Sequence, residues 1–511
     1  MPVELKPSLE LDDASLERTC RVSGIPTGAH VHVSGACGTG MASVLQLLKS
    51  LGYHVTGSDK AFYPPMGDVV RRTADRVFEG YSAENLKPHP ALTVIGNSLS
   101  RGNPEVEYVL ENGLPFASMP EVFAGLLIGT REHCPTSIVI TGTHGKTTTT
   151  AATAVIFESA GLRPGYFVGG VPKNLPGSIR KVDTTVPADK RVVVLEGDEY
   201  DSAFFAKFSK FHSYRPDLLA VTSIEFDHAD IYNSLEEIEA EFTKLVKRVP
   251  PAGAVLVAEG GEALERLVLL WKGDPDVKAP IYRYGERISS ELRLLKRSPI
   301  PNGGQELELD LLGTTVSCRT TLTGPHNAFN LLVAAAAAHL KGLSPEEIRI
   351  GVETFEGVLR RQHVVAEPRG ITVLEDFAHH PTAVLTTLQG LKEQYGPRRL
   401  VAVFEPRSNT SKRGFFQEAY AKSFAPADHV VIQNLGESSG YWGSENAGKP
   451  LDVPLLADTI SRNGTPAVAL TTVEEIGFHL KKELRPGDVV VLMSNGDFGG
   501  LPKSLPELLA S

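Results

Sequence analysis

The chain reads as an α/β protein of three domains built on mainly parallel sheets. Two observations carry this. Three times an apolar, β-branched run ends in a Gly-rich or polar loop, with a helical pattern following in at least two cases, which is the order of elements that parallel sheets require. The length, 511 residues, suits about three ordinary domains.

The first instance is His30 to Ser34, then Gly35-Ala-Cys-Gly38-Thr-Gly40, then Met41, Val44, Leu45, Leu48 and Leu51 at helical spacing. A second strand-like run ends at Asp59. Together they predict a Rossmann-like domain over residues 1–134. The glycines of Gly35-x-x-Gly38-x-Gly40, with Asp59 beyond, resemble a dinucleotide fingerprint but depart from its G-x-G-x-x-G spacing. They point to a phosphate at a helix N-terminus, which the diphosphate of a nucleotide-sugar supplies as well as NAD does, and a purely structural turn is the alternative.

The second instance is Ser137 to Thr141, then Gly142-Thr143-His144-Gly145-Lys146-Thr147-Thr148, then a helix over Ala151 to Ala160. It opens a central domain, residues 135–355. Backbone N–H groups of such a loop cradle phosphates, the Lys neutralises the transferring phosphate, and the Thr147 hydroxyl can ligate Mg²⁺. Hard oxygen ligands are expected at the ends of neighbouring strands. Val192 to Leu195 runs into Glu196-Gly-Asp198-Glu199-Tyr-Asp201, and Leu218 to Ile224 runs into Glu225-Phe-Asp227-His228-Ala-Asp230. Either acidic cluster could be a solvated loop, but both follow apolar runs, and Glu196 and His228 are the expected metal ligands beside Thr147.

Trp271 to Gln305, rich in Pro, Gly and charge, reads as loops and short antiparallel strands. Gly324-Pro-His326-Asn327-Ala-Phe-Asn330 opens an Ala-rich helix, Leu331 to Leu340, and by itself reads as an ordinary cap. The third instance, Ile371 to Glu375 before Asp376-Phe-Ala-His379-His380-Pro381, is joined by further strands at Leu400 to Phe404 and Asp488 to Met493. They define a third domain, residues 356–511.

Composition narrows the function. With 51 Lys+Arg against 61 Asp+Glu the net charge is -10, which argues against a nucleic-acid backbone as partner and makes single cations in loops informative. Four scattered cysteines form neither a disulfide framework nor a metal motif, which fits a reducing cytoplasm. The apolar run at Leu331 to Leu340 is too short to span a bilayer, and the acidic start MPVELKPSLELDD has no apolar core, so no membrane anchor and no secretory signal are expected.

In order along the chain, Gly-Thr-His-Gly-Lys-Thr-Thr, Glu-Gly-Asp-Glu-Tyr-Asp, Glu-Phe-Asp-His-Ala-Asp, Gly-x-His-Asn-x-x-Asn, Arg360-Arg361 and Asp-Phe-Ala-His-His-Pro resemble the Mur ligases, from about residue 30 to residue 505. The resemblance implies that family's architecture: a Rossmann-like UDP-binding domain, a P-loop ATPase domain and a Rossmann-like acceptor domain. It implies ATP and Mg²⁺ as cofactors, with Gly142 to Thr148, His326, Asn327, Asn330, Arg361 and Asp376 around ATP. Gly35, Gly38, Gly40, Asp59 and Asn97 would hold the UDP-sugar, although Cys37 and Thr39 replace smaller residues common in that loop. His379 and Arg407 would meet the peptide, where Arg407 could clamp a carboxylate bidentately or sit in a surface ion pair.

Gly57-Ser-Asp59 with Tyr63-Pro-Pro-Met66, Gly96-Asn97 to Pro104, Glu405-Pro-Arg407-Ser-Asn-Thr410 and Met493 to Gly500 are similar to the branch that takes a recycled tripeptide. The branch that takes L-alanine usually carries Tyr-Gly-His-His-Pro-Thr-Glu and Gln-Pro-His-Arg-Tyr, both absent here. The resemblance therefore implies an ATP-dependent ligase joining UDP-N-acetylmuramate to L-alanyl-γ-D-glutamyl-meso-diaminopimelate through an acyl phosphate. L-alanine as acceptor is the alternative, and a non-catalytic nucleotide-sugar sensor is a more distant one. The sequence carries no signal for an oligomeric state.

Overall fold

The computed structural model describes residues 13–62, 66–129, 134–227, 231–232, 234–300, 303–434, 436 and 449–510. The chain forms three α/β units, each on its own sheet, and the fold class expected from the sequence is the one observed.

The N-terminal sheet is wholly parallel. Its order is Arg76–Glu79, His54–Asp59, His30–Ser34, Leu92–Ile95, Phe116–Ala117. Chain order reverses on either side of His30–Ser34, so a crevice opens at the carboxyl ends of that strand and Leu92–Ile95, where such sheets take ligands. The Gly35 loop and Gly96-Asn97 sit at that point. Gly40 has no freedom here: a Cβ would stand 2.3 Å from Met119 Sδ. Beneath the crevice lies a carboxylate network. Glu105, fully buried, accepts from Ser34 Oγ at 2.5 Å, Ser58 Oγ at 2.6 Å and Asn85 Nδ2 at 2.7 Å, so it ties together the two strand ends that precede Gly35 and Asp59.

The central sheet has ten strands, with Thr136–Thr141 between Leu218–Val221 and Val192–Gly197, parallel to both. These strands are continuous apolar runs because helices cover both faces. The helix Pro325–Leu340 is buried nearly all round, with Ala334 to Ala338 at 0% exposure, packed against Ala151, Ala152 and Ala154 of Lys146–Ser159. Small side chains let the two backbones approach, which seats the first turn of one helix beside the first turn of the other.

The stretch from Trp271 to Gln305 forms the expected loops and antiparallel strands, with two exceptions. Trp271 belongs to the helix Glu262–Gly273, where Leu264, Leu267, Val268 and Trp271 recur at helical spacing and are buried. Ile281–Gly285 extends the parallel run beside Ala254–Ala258, and only Leu292–Pro299, Gln305–Leu311 and Thr314–Thr320 pair antiparallel. Asp274, Asp276, Lys278, Glu286 and Arg287 lie in the loops between these elements.

The third sheet runs His363–Ala366, Thr372–Asp376, Val489–Met493, Leu400–Phe404, His429–Gln433, Ala467–Leu470, parallel except for the first strand. Among the described residues no helix is long and apolar enough to cross a membrane. Replacing Ala335 with Leu overfills the contact between the two alanine-lined helices. It is expected to lower the stability of the central unit by about 1–3 kcal/mol, read as a lower midpoint in urea; an unchanged midpoint would contradict this packing.

Candidate active site

One cleft of about 880 Å³ is lined by all three units. Gly35, Gly38, Gly40 and Asn97 come from the first, Thr143 to Thr148, Glu196, His326, Asn327 and Asn330 from the second, and Arg361, Asp376 and His379 from the third. The structure thus brings together most of the residues singled out in the sequence. Asp59 and Arg407 are not among the lining residues, and His228 lies outside the described ones. Asp59 accepts from Cys37 N at 2.7 Å and so props the Gly35 loop from behind. Arg407 pairs with Asp497 at 2.5 Å, about half exposed.

The loop from Gly142 to Gly145 is shaped by what presses on it. Gly142 has φ +120° and Gly145 φ +83°, and a Cβ at either would stand 2.5 Å from Thr222 Oγ1 or Asn330 Oδ1 respectively. Only glycine fits at these positions. His144 N donates to Ser223 Oγ at 2.9 Å, and Thr143 N to Ser223 O at 2.9 Å, so the adjacent strand end holds the turn.

Lys146 opens the helix and bends back over the loop. Its Nζ donates to Gly142 O at 2.5 Å and to both oxygens of Glu199, at 2.9 and 3.2 Å. Burial works to lower its pKa, but Glu199, Asp198 and Glu196 outweigh that and raise it, so the side chain enters the cleft as a cation. Glu199, 2% exposed, is the residue that sequence reasoning passed over. It stood in the same quoted cluster as Glu196, and only the turn after Val192–Gly197 decides which carboxylate faces the lysine.

Glu196 faces Thr147 instead. Its Oε1 accepts from Thr147 Oγ1 at 2.9 Å and its Oε2 from Gly169 N at 2.6 Å. Burial raises the Glu196 pKa against the pull of Gly169 N–H, Lys146 and Thr147. A hydroxyl and a half-buried carboxylate side by side, at the mouth of a glycine-rich turn, form a hard-oxygen donor pair that fits Mg²⁺.

The third unit closes over this centre. Arg361 Nη2 donates to Thr147 Oγ1 at 3.3 Å, and its guanidinium lies 4.3 Å from the Phe377 ring centroid. Burial lowers the Arg361 pKa and raises that of Asp376, each partly offset by the other's charge. Asp376 accepts from Gln362 N at 2.7 Å and Ala378 N at 2.8 Å. Farther along the seam, Thr382 Oγ1 donates to Glu225 Oε2 at 2.7 Å, and Arg297 meets Glu393 in a two-pronged contact, 2.8 Å on both sides.

A glycine-rich turn and a hard-oxygen pair from the central unit thus meet a covering arginine from the third. Residues 30–131 match the Mur ligase family, catalytic domain; residues 140–338 the Mur ligase middle domain; residues 360–496 the Mur ligase, glutamate ligase domain. The chain is 35% identical over 485 residues to the UDP-N-acetylmuramate–L-alanyl-γ-D-glutamyl-meso-2,6-diaminoheptandioate ligase of Escherichia coli (strain K12), covering 94% of this chain and 98% of that one. It belongs to the Mur ligase family. A crystal structure of a murein peptide ligase from Psychrobacter arcticus 273-4 superposes with a TM-score of 0.69 at 32% identity, over 95% of this chain and 99% of that chain. The UDP-N-acetylmuramate–L-alanine ligase of Endomicrobium trichonymphae is 28% identical over 92% of this chain and 96% of its own length.

Two outcomes follow from the geometry. Glu199→Gln removes the charge that orients Lys146 while keeping the shape. Because a hydrogen bond to a charged group is worth ~1.5–3 kcal/mol, kcat/KM for ATP is expected to fall roughly 10–100-fold; an unchanged value in steady-state kinetics would mean that Gly142 O alone positions the ammonium. His326 is the second case. Burial, aided by Arg297, holds its pKa down at about 4 from an ordinary 6.5. The unfolded chain then binds the extra proton first, so its contribution to stability is lost as pH falls from 6.5 toward about 4. His326→Gln should flatten the pH dependence of the melting midpoint over that window, and an identical slope in both proteins would refute it.

Proposed function

We propose that this Mur ligase joins the lactyl carboxylate of UDP-N-acetylmuramate to the amine of L-alanyl-γ-D-glutamyl-meso-diaminopimelate, at the expense of ATP, in cytoplasmic peptidoglycan recycling. The observation that carries the reading is the single cleft in which the Gly35 loop, the Gly142–Thr148 loop and the Arg361 to His379 segment face one another. An amide bond between two substrates and a nucleotide needs three binding elements at one point. The identity of 35% across nearly the whole length of a tripeptide ligase supports the choice of acceptor.

In this reading residues 1–134 hold the UDP-sugar, 135–355 hold ATP, and 356–511 present the peptide. A carboxylate is a poor electrophile, and phosphorylation turns one of its oxygens into a leaving group. The carboxylate oxygen attacks the γ-phosphorus and ADP departs. Lys146 and the loop N–H groups neutralise and orient the transferring group, which for phosphoryl transfer is most of what a protein can contribute. Thr147, Glu196 and His228 would hold Mg²⁺, which when bound supplies charge neutralisation to the phosphates.

Arg361 and Asp376 keep the third unit seated over the nucleotide, and His326, Asn327 and Asn330 border the adenine. Closure excludes water from the acyl phosphate until the amine attacks its carbonyl carbon and phosphate leaves. Arg407, which the structure pairs only with an exposed aspartate, would exchange Asp497 for a carboxylate of the incoming peptide.

The test is phosphate release with ATP, Mg²⁺ and UDP-N-acetylmuramate, with the tripeptide or free L-alanine as acceptor. Turnover is expected with the tripeptide and should drop roughly 10²–10³-fold or more in Lys146→Ala. Turnover with L-alanine alone would assign the other branch of the family, and none with either acceptor would favour a sensor.

A further inference from the structure

Three donor groups at the edge of the same cleft, apart from the Thr147–Glu196 pair, converge where the central and third units meet. His144 follows the strand Thr136–Thr141, Glu225 follows Leu218–Val221, and His380 caps the helix Pro381–Tyr395. One ligand atom from each lies within 4.8 Å of the others, the one such group of metal-capable side chains among the described residues. We infer that His144, Glu225 and His380 form a binding site for a zinc-class divalent cation that staples the third unit to the phosphate-binding loop.

The three side chains leave hydrogen-bonding capacity unused toward one another. His144 Nε2 is 3.6 Å from Glu225 Oε1 and His380 Nδ1 is 3.6 Å from Glu225 Oε2, both beyond hydrogen-bond range. His144 Nε2 is buried and has no hydrogen-bond partner. His380, 5% exposed, accepts from Thr382 N at 3.3 Å through Nδ1. Its Nε2 is buried and has no hydrogen-bond partner. Two imidazoles that each leave a buried ring nitrogen unpartnered, set around one carboxylate, offer a cation two nitrogen donors and one oxygen donor.

The donor set selects the ion. Two imidazoles and one carboxylate are the ligands of zinc-type metals, leaving a fourth position open, whereas Mg²⁺ prefers oxygen alone. Bond lengths of ~2.0–2.2 Å to such an ion require the three donors to draw in slightly from their present separations. Thr382 Oγ1, donating to Glu225 Oε2 at 2.7 Å, holds the carboxylate as an outer partner. The centre is distinct from the pair expected to meet Mg²⁺, Thr147 and Glu196. It does not depend on which substrates the enzyme joins.

The full-length chain, stripped with a chelator, is titrated with Co²⁺ and then with Zn²⁺. We expect one equivalent of Co²⁺ with the visible band of a nitrogen-ligated, four-coordinate ion, displaced by Zn²⁺. Glu196→Gln should retain this site, while His380→Ala and Glu225→Gln should each weaken it at least tenfold. Zn²⁺ should also raise the melting midpoint of the unsubstituted chain and not that of His380→Ala. The proposal fails if the unsubstituted chain takes up no such ion at micromolar concentration, if Glu196→Gln abolishes the band, or if the His380 and Glu225 variants, folded by circular dichroism, bind as tightly as the parent.

Discussion

Everything at the centre of this molecule depends on a tight turn of backbone at the end of one strand. Thr136–Thr141 lies between two parallel partners, so the loop that leaves it is flanked by the ends of Val192–Gly197 and Leu218–Val221. Gly142 and Gly145 adopt conformations and clearances that no side chain tolerates, and Ser223 and Asn330 press on them from opposite sides. The N–H groups of Thr143 and His144 are committed to Ser223, so the protein alone sets the shape of the loop. Such preorganisation costs no rearrangement during the reaction, which is why electrostatic catalysis of this kind is effective.

Charge is arranged around that turn in layers. Lys146 is buried enough to matter and held cationic by Glu199, while Glu196 is turned the other way toward Thr147. Arg361 then brings a second cation from another unit, its cost of burial offset by Asp376 and by the face of Phe377. The third unit is thus bound to the second by groups whose protonation and pairing depend on the contact itself.

The P-loop and its helix were legible in the sequence because strand, loop and helix are contiguous, and local spacing suffices to place them. The same holds for Gly35 to Gly40 before its helix and for the Ala-rich run after Gly324. Beyond Trp271 the loops and antiparallel strands were legible, but the helix end at Gly273 and the parallel strand Ile281–Gly285 were not, because so short an element has no periodicity of its own to separate it from the loops around it. Glu199 was missed because two carboxylates three residues apart are equivalent in a string of letters. Glu105 gave no signal at all, since a buried glutamate near the start of a helix looks like ordinary N-terminal charge until Ser34, Ser58 and Asn85 are seen around it.

The sequence alone determined the class of fold, the strand, loop and helix around Gly142 to Thr148 and the family to which the chain is related. Each of these rests on residues close together along the chain, where backbone geometry and helical or strand periodicity act directly. Tertiary structure alone decided which carboxylate meets Lys146, that Asp59 supports its loop from behind, and that His144, Glu225 and His380 face one another across a seam. Those pairings join residues dozens to hundreds of positions apart, and only the packing of sheets and helices sets the distance between them.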